Sequence, residues 1–327
     1  MTRRRGAFWA AVVLLVTPAL VLTVLRVSDP RRGVLIRAQS FAPYAILLYA
    51  VALVLLAVWA VRHPRQAWVV VLPLLGLGLH AYWLAPLYTG SAPSPDPDAT
   101  PLTVMTVNLE GGTAVITPVV DAARREDVDV LVLEDVTSES FAEMDRAGLS
   151  DLFPFHVHPP GYGDNGILVL SRTWVGDPVS EEAEHRLLLA TVETDDGAMR
   201  LLAVHPRQPT QPVEWHADQE RWLAVVRSQH PALVVGDFNA TLDQAPLRDL
   251  EDDGYRSVTE LLNQGWQRTW PANGRYRPFN LFPVPRLVQI DQVMLGTGLA
   301  AIDSHTVHIH GTDHLGLVAT FAAADEG

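Results

Sequence analysis

Hydrophobic and polar positions divide the chain near residue 90. Three long apolar stretches come first, Gly6 to Leu25, Ala38 to Val61 and Gln66 to Leu87. Each is long enough to cross a hydrocarbon core of about 30 Å as a helix. Pro18 and Pro73 fall inside these stretches, where neighbouring helices can satisfy the freed carbonyls. Trp9, Trp59, Trp83, Tyr82 and Tyr88 fall near their ends, where aromatic rings favour the interface. The first stretch reads as a span and not as a cleavable signal peptide, because two more spans follow and no small-residue cleavage site is evident. His80 is the one titratable group within them, and an interhelical or interfacial role explains it most simply.

Beyond residue 90 the runs shorten and alternate. Residues 102–108, 128–134, 167–171, 187–192, 200–205, 233–237, 289–295, 306–310 and 315–321 predict strands. Residues 115–125, 138–147, 215–228 and 245–253 predict helices between them. This interleaving predicts an α/β domain, a two-sheet sandwich flanked by helices, preceded by three transmembrane helices. Between the two parts, residues 85–101 hold five prolines with Gly90, Ser91 and Ser94, and predict an extended, semi-rigid tether. The expected organisation is a membrane domain over 1–88, a Pro-rich linker over 89–101 and a catalytic domain over 102–323.

Charge sharpens this division. The first 90 residues carry nine Arg and one acidic residue, whereas the rest carry fifteen Arg and thirty-six acidic residues. The overall −13 therefore averages a +8 segment and a −21 domain. Arg3, Arg4, Arg5, Arg62 and Arg65 lie on one side of the predicted spans, and Arg31, Arg32 and Arg37 on the other. The excess of Arg places the N-terminus in the cytoplasm, and an odd number of spans then places the domain after residue 90 outside. The chain contains neither Lys nor Cys, which rules out disulfides and thiolate metal sites.

Candidate chemistry gathers at predicted strand ends. Asn108 closes the first strand, Glu134 the second, and His205 follows Leu-Leu-Ala-Val. Asp237 and Asn239 sit in Gly-Asp-Phe-Asn, Asp291 in Gln-Ile-Asp-Gln-Val, and Asp313 and His314 precede the last strand. Taken singly each has an ordinary explanation, since Asp and Asn beside Gly are common turn formers. Together they supply the oxygens a hard cation such as Mg²⁺ requires, with imidazoles beside them. Such a set suits in-line attack on phosphorus.

In this order the motifs resemble the endonuclease/exonuclease/phosphatase superfamily, which includes deoxyribonucleases, apurinic endonucleases, neutral sphingomyelinases and inositol-phosphate phosphatases. The resemblance runs from about Leu102 to Phe321. It rests on Val104–Leu109, Leu133-Glu134, Asn165–Arg172, His205, Gly236–Asn239, Ile290–Val293 and Thr312–His314. It implies that Glu134, with Asn108 and Asp313 close by, binds Mg²⁺ or Mn²⁺. Asp237 would orient or deprotonate the attacking water, and Asn239 would hold a phosphoryl oxygen. His314 would donate to developing charge with Asp291 fixing its tautomer, and His205 would be a second imidazole. Three positions depart from the family pattern: Leu133 replaces Gln, Gln292 replaces His, and Leu315-Gly316 replaces the usual residue-Pro pair. None removes a catalytic group.

The substrate class follows from charge and anchoring. A domain at −21 offers few positive patches to a nucleic-acid backbone, so nucleic acid is the less favoured partner. Three spans fit a substrate that lies in the bilayer. Spans, tether and Thr269-Trp270-Pro271 resemble the bacterial membrane-bound branch linked to teicoplanin-type glycopeptide resistance, which implies a lipid phosphate such as undecaprenyl pyrophosphate. The competing expectations are an extracytoplasmic nuclease, a sphingomyelinase-like phosphodiesterase and a non-catalytic membrane scaffold. Tyr276, Phe279, Phe282 and the prolines between 278 and 285 predict an aromatic loop, read as a packed surface loop or as a membrane-facing lip.

Overall fold

The computed structural model describes residues 2–90, 92–112, 115–158, 166–179, 186–277 and 282–325. Three helical segments, Arg4–Arg26, Ala42–Arg62 and Pro64–Leu84, are long and apolar enough to cross a membrane. They are built from α1 (Thr2–Arg26), α3 (Ala45–Arg62) and α4 (Val71–Leu84), the latter two entered through 3₁₀ turns. Ala19, Ala45 and Tyr49 form their small buried contact. The Tyr49 ring lies over Gly76, where a Cβ would come within 2.5 Å of it. Thr23 Oγ1 lies 2.9 Å from both Tyr49 OH and His80 Nε2, so His80 joins three helices through one hydroxyl.

The second span departs from expectation at its start. Residues Gly33–Gln39 form a separate helix, α2, between the first two spans. The apolar run from Ala38 is broken at Phe41, and Pro43 sits in the first turn of the 3₁₀ segment Ala42–Tyr44. Proline has no N–H to extend a preceding helix but is well suited to start a new one. Helix α2 therefore stands free of the span and packs elsewhere.

Residues 102–323 form two six-stranded sheets. One has the order β11 (Leu299–His308), β12 (Leu315–Ala323), β1 (Leu102–Asn108), β2 (Val130–Val136), β4 (Gly166–Ser171) and β3 (Phe155–Val157). The other runs β5 (Val175–Val179), β6 (Leu187–Thr194), β7 (Gly197–Val204), β8 (Leu233–Asp237), β10 (Asp291–Leu295) and β9 (Arg256–Ser257). The β1–β2 and β7–β8 pairs are parallel. Between the sheets lie Val104, Val130, Val132, Leu201, Ala203, Leu233, Val235, Val293 and Leu317, with Val258 of α11 (Val258–Leu261) among them. Helices α6 (Ile116–Arg125), α7 (Ser138–Arg146) and α8 (Leu149–Leu152) cover the first sheet over Met105, Leu131 and Leu133. Helices α9 (Pro212–Gln229) and α10 (Ala245–Asp252) cover the second over Leu202, Val204, Val234 and Met294. The result is the expected two-sheet sandwich flanked by helices.

The period-two alternation of a strand decides what reaches the site. Val104 faces the inter-sheet core and Met105 the outer layer, which puts Thr106 and Asn108 on the inner face. By the same alternation Val130 and Val132 lead to Glu134, Leu201 and Ala203 to His205, and Leu233 and Val235 to Asp237. Asp291 precedes inward-facing Val293 and Leu295. Five candidate polar residues thus prolong the inward rows beyond one edge of the apolar core.

The two parts of the chain are joined by extensive contact. Ile36 of α2 is fully buried within the cluster that holds Trp215, Phe238 and Leu247. Gln244 Nε2 donates to the Ile36 carbonyl at 3.0 Å, Arg26 Nε lies 2.7 Å from Asp243 Oδ1, and Tyr44 OH donates to the Leu287 carbonyl at 2.7 Å. The described residues of the Pro-rich stretch also pack against the sheets. It begins with α5 (Pro86–Thr89), and beyond it Asp96 N donates to the Ala323 carbonyl and Asp325 N to that of Ser94, both at 2.9 Å.

Candidate active site

The pairing of strands sets the frame of the site. Asn108 lies opposite Glu134 across the parallel β1–β2 pair, and Asp237 opposite Asp291 across the antiparallel β8–β10 pair. The start of β12 is antiparallel to β1, which brings Asp313 and His314 beside Asn108. Thr312 Oγ1 fixes this approach by donating to the Asn108 carbonyl at 2.7 Å.

Asp237 is the hub. Its Oδ2 accepts from Asn108 Nδ2 at 2.9 Å, and its Oδ1 accepts from the Asn239 backbone N–H at 2.8 Å. The same Oδ2 lies 3.6 Å from His205 Nε2 and 3.8 Å from His314 Nε2. Burial raises the Asp237 carboxyl above its ordinary range, with the neighbouring His314 charge opposing the shift. Asn239 adopts the left-handed conformation, φ 46°, that Asn tolerates, and its side-chain amide donates to the Pro206 carbonyl at 3.0 Å.

His314 has the strongest electrostatic signature. Its Nδ1 lies 3.1 and 3.0 Å from the two Asp291 oxygens. Burial alone would lower its pKa, but the Asp291 and Asp237 carboxylates outweigh burial and hold it at about 10. The imidazolium therefore has Asp291 behind it and directs Nε2 toward Asp237 and toward Asp313, whose Oδ1 is 3.7 Å away. His205 enters from the other side, with Nδ1 3.4 Å from Asp135 Oδ1 and making no hydrogen bond.

All eight expected residues, Asn108, Glu134, His205, Asp237, Asn239, Asp291, Asp313 and His314, gather at this edge of the sandwich. Four further residues complete it. Asp135 is turned out by a register shift in β2 between Leu133 and Val136, with φ 54°; a bulge re-aims a side chain in this way. Trp270 Nε1 donates to Asp313 Oδ2 at 2.8 Å. Thr106 Oγ1 donates to Glu134 Oε1 at 2.6 Å. Thr269 Oγ1 accepts from the N–H groups of Ile290 and Asp291 at 3.3 and 3.4 Å. The sequence signals for this group are the Val104–Leu109 motif that contains Thr106 and Thr269-Trp270-Pro271, whose first two members prove to be structural supports of Asp291 and Asp313.

A cleft of about 780 Å³ opens over these groups, with Asn108, His205, Asp237, Asn239, Asp313 and His314 on its floor. One wall is Trp270, Pro271, Tyr276, Val284 and Leu287 of the loop before β10. Val34, Arg37, Ala38, Ser40 and Phe41, from the segment between the first two spans, form another. Tyr276 and Phe282 are exposed on the aromatic loop, while Phe279 lies outside the described residues.

The donor set fits a divalent cation. Glu134 is fully buried, its Oε2 has no hydrogen-bond partner, and burial pushes its carboxyl well above the ordinary range. A buried carboxylate oxygen left without a partner needs a cation or a proton. Asp237, Asp291 and His314 also present ligand atoms within 4.8 Å of one another, a group that could hold a metal ion. The charge on His314 sets that trio apart from Glu134, because an imidazolium repels a cation while a bare carboxylate attracts it. Glu134 with Asn108 is the better fit.

An acid–amide–imidazole floor at the edge of a helix-flanked double sheet defines a class of α/β sandwich hydrolases. Residues 105–314 match the profile described as the Endonuclease/Exonuclease/phosphatase family, and the chain belongs to that family. Its members are generally hydrolases acting on phosphoester bonds. No curated protein gives a match. Among solved structures, an endonuclease/exonuclease/phosphatase from Beutenbergia cavernae is similar at 21% identity and TM-score 0.51, covering 68% of this chain and 72% of that one. D. rerio TDP2 complexed with a single-strand DNA product is similar at 14% identity and TM-score 0.54, covering 68% and 99%. TDP2 from C. elegans, at 18% identity and TM-score 0.51, covers 76% and 82%. At these identities the likeness is one of fold.

Proposed function

We propose that this chain is a membrane-anchored, divalent-metal-dependent phosphoesterase, its catalytic domain on the extracytoplasmic face. Its substrate is a phosphoester or pyrophosphate of a membrane lipid, such as undecaprenyl pyrophosphate. The observation that carries the lipid reading is the wall of the cleft. Val34, Ala38 and Phe41 belong to the segment between two apolar helices, yet they face the same space as Asp237 and His314. An anchor serving only as a tether has no need to line the active site. A lipid substrate does need an apolar path from the bilayer to the polar floor.

Each polar group then has a task. Asp237, its basicity raised by burial, orients the attacking water and takes its proton. His314, held as imidazolium by Asp291, donates to charge developing on the phosphoryl oxygens. His205 assists the departing oxygen, with Asp135 behind it. Asn239 fixes Asp237 through its backbone N–H and lies where a phosphoryl oxygen can replace an existing amide contact. Glu134 and Asn108, with Asp313 nearby, would hold Mg²⁺ or Mn²⁺, which supplies neutralisation of the phosphoryl charge.

The test is phosphate release by the purified full chain across undecaprenyl pyrophosphate, sphingomyelin, inositol phosphates and plasmid DNA, with Mg²⁺ and with EDTA. Mg²⁺-dependent release from the polyprenyl lipid is expected. Cleavage of DNA alone would replace the lipid reading with a nuclease, and phosphocholine release alone with a sphingomyelinase. Inactivity on every substrate, with EDTA leaving stability unchanged, would make the chain a scaffold.

A further inference from the structure

Two arginines on the cleft have no carboxylate partner among the described residues, although the cleft is rich in acids. Arg186 immediately precedes β6, and its carbonyl accepts the His205 N–H at 2.9 Å. The β6–β7 register pairs Leu188 with Ala203, both of which face the inter-sheet core, so Arg186 shares the inner face with His205. Its Nε is shielded from solvent and makes no hydrogen bond. Arg37 faces the same cleft from α2, and its Nε reaches only the carbonyl of Gly33 in its own helix, at 3.4 Å.

The neighbouring charges show that this is not the usual state of an arginine here. Arg207, also on the cleft, is held by Asp218 at 3.2 Å, and Glu110 is taken by Arg275 at 3.3 Å. A buried guanidinium N–H without an acceptor is costly, and the fork of a guanidinium matches phosphate oxygens in bidentate fashion.

We propose that Arg186 and Arg37 form a second anion subsite beside His205, which binds a second phosphate of the substrate. The inference rests on the phosphoesterase reading and deepens it: the substrate is a diphosphate ester. One phosphorus sits over Asp237 and His314, and the other between the two arginines. Half of this subsite comes from the catalytic domain and half from the segment between two spans. Val34 and Phe41 continue the same wall with apolar surface, so the organic part of the diphosphate is a hydrocarbon chain.

The experiment uses the full chain with Arg186→Gln and Arg37→Gln. The ratio of kcat/KM for a polyprenyl diphosphate to kcat/KM for bis(p-nitrophenyl) phosphate, which has one phosphorus, should fall at least about tenfold in each variant. Binding of inorganic pyrophosphate and of orthophosphate is measured by calorimetry in an Asp237→Asn background. The arginine variants should weaken pyrophosphate about tenfold more than orthophosphate. Arg37 is exposed, so its variant tests the subsite without endangering the fold. An unchanged substrate ratio in both variants, or equal weakening of both anions, would overturn the proposal. Selective loss of pyrophosphate binding in a chain that hydrolyses nothing would leave the subsite standing and reject the phosphoesterase reading instead.

Discussion

At the scale of single residues, Asp237 and His314 carry the account. Asp237→Asn keeps an acceptor for the Asn239 N–H while removing the base, so kcat should fall about 10²–10⁴-fold with folding retained. Single-turnover phosphate release beside a thermal melt checks both parts. For His314, the pKa rises from about 6.5 unfolded to about 10 folded. The bound proton therefore stabilises the folded state fully below pH 6.5, and this contribution is lost as pH rises through 10. Wild type in EDTA should lose more thermal stability between pH 7 and pH 10 than His314→Gln does; parallel curves would contradict the assignment. Eight of the site residues are legible in the sequence because each borders an apolar run: Asn108, Glu134, His205, Asp237 and Asn239 follow theirs, whereas Asp291, Asp313 and His314 stand at the start of theirs. Asp135 and Arg186 are not. The first owes its position to a bulge, the second to strand register, and neither leaves a mark on local composition.

Between residues and molecule lie the elements, and there one glycine and one helix decide the geometry. Gly236 has φ 137°, and a Cβ on it would meet the Val204 carbonyl oxygen at 2.2 Å and Glu134 Oε1 at 3.0 Å. Gly236→Ala should cost at least about 1–3 kcal/mol in denaturant melts and displace Asp237, with activity falling further than stability alone explains. Helix α2 is anchored by Ile36, buried under the second sheet. Ile36→Ala should cost about 2–5 kcal/mol and lower turnover on lipid more than on a soluble phosphodiester; equal losses would show that α2 only packs. Most strands and four helices could be read from periodicity. Strands β3 and β9 are too short to show alternation, Gly176, Asp177 and Pro178 interrupt β5, and β11 begins seven residues before its predicted start. Helix α2 was hidden because its last two residues fall in the uncharged run from Ala38 to Val61, and Pro43 and the docking of Ile36 against Gln244 separate it from that run.

For the whole molecule, the contact of α2 with the catalytic domain constrains topology. If all three apolar helices cross the membrane, the segment between the first two and everything after the third share one face of it, as their contact requires. The chain has no cysteine, so single cysteines at positions 32, 64 and 95 can each be probed with a membrane-impermeant maleimide in intact cells. Labelling at 32 and 95 but not at 64 is expected. The reverse pattern would turn the catalytic domain inward, and labelling that separates 32 from 95 would break the interface described above. The central claim is that this cleft hydrolyses a lipid phosphate brought to it by its own membrane helices. Its most direct measurement is the initial rate of phosphate release from a polyprenyl diphosphate in nanodiscs holding the full chain. Release that requires Mg²⁺ and disappears in Asp237→Asn is the predicted result; release that survives both EDTA and Asp237→Asn, or no release beside active cleavage of DNA, would contradict it.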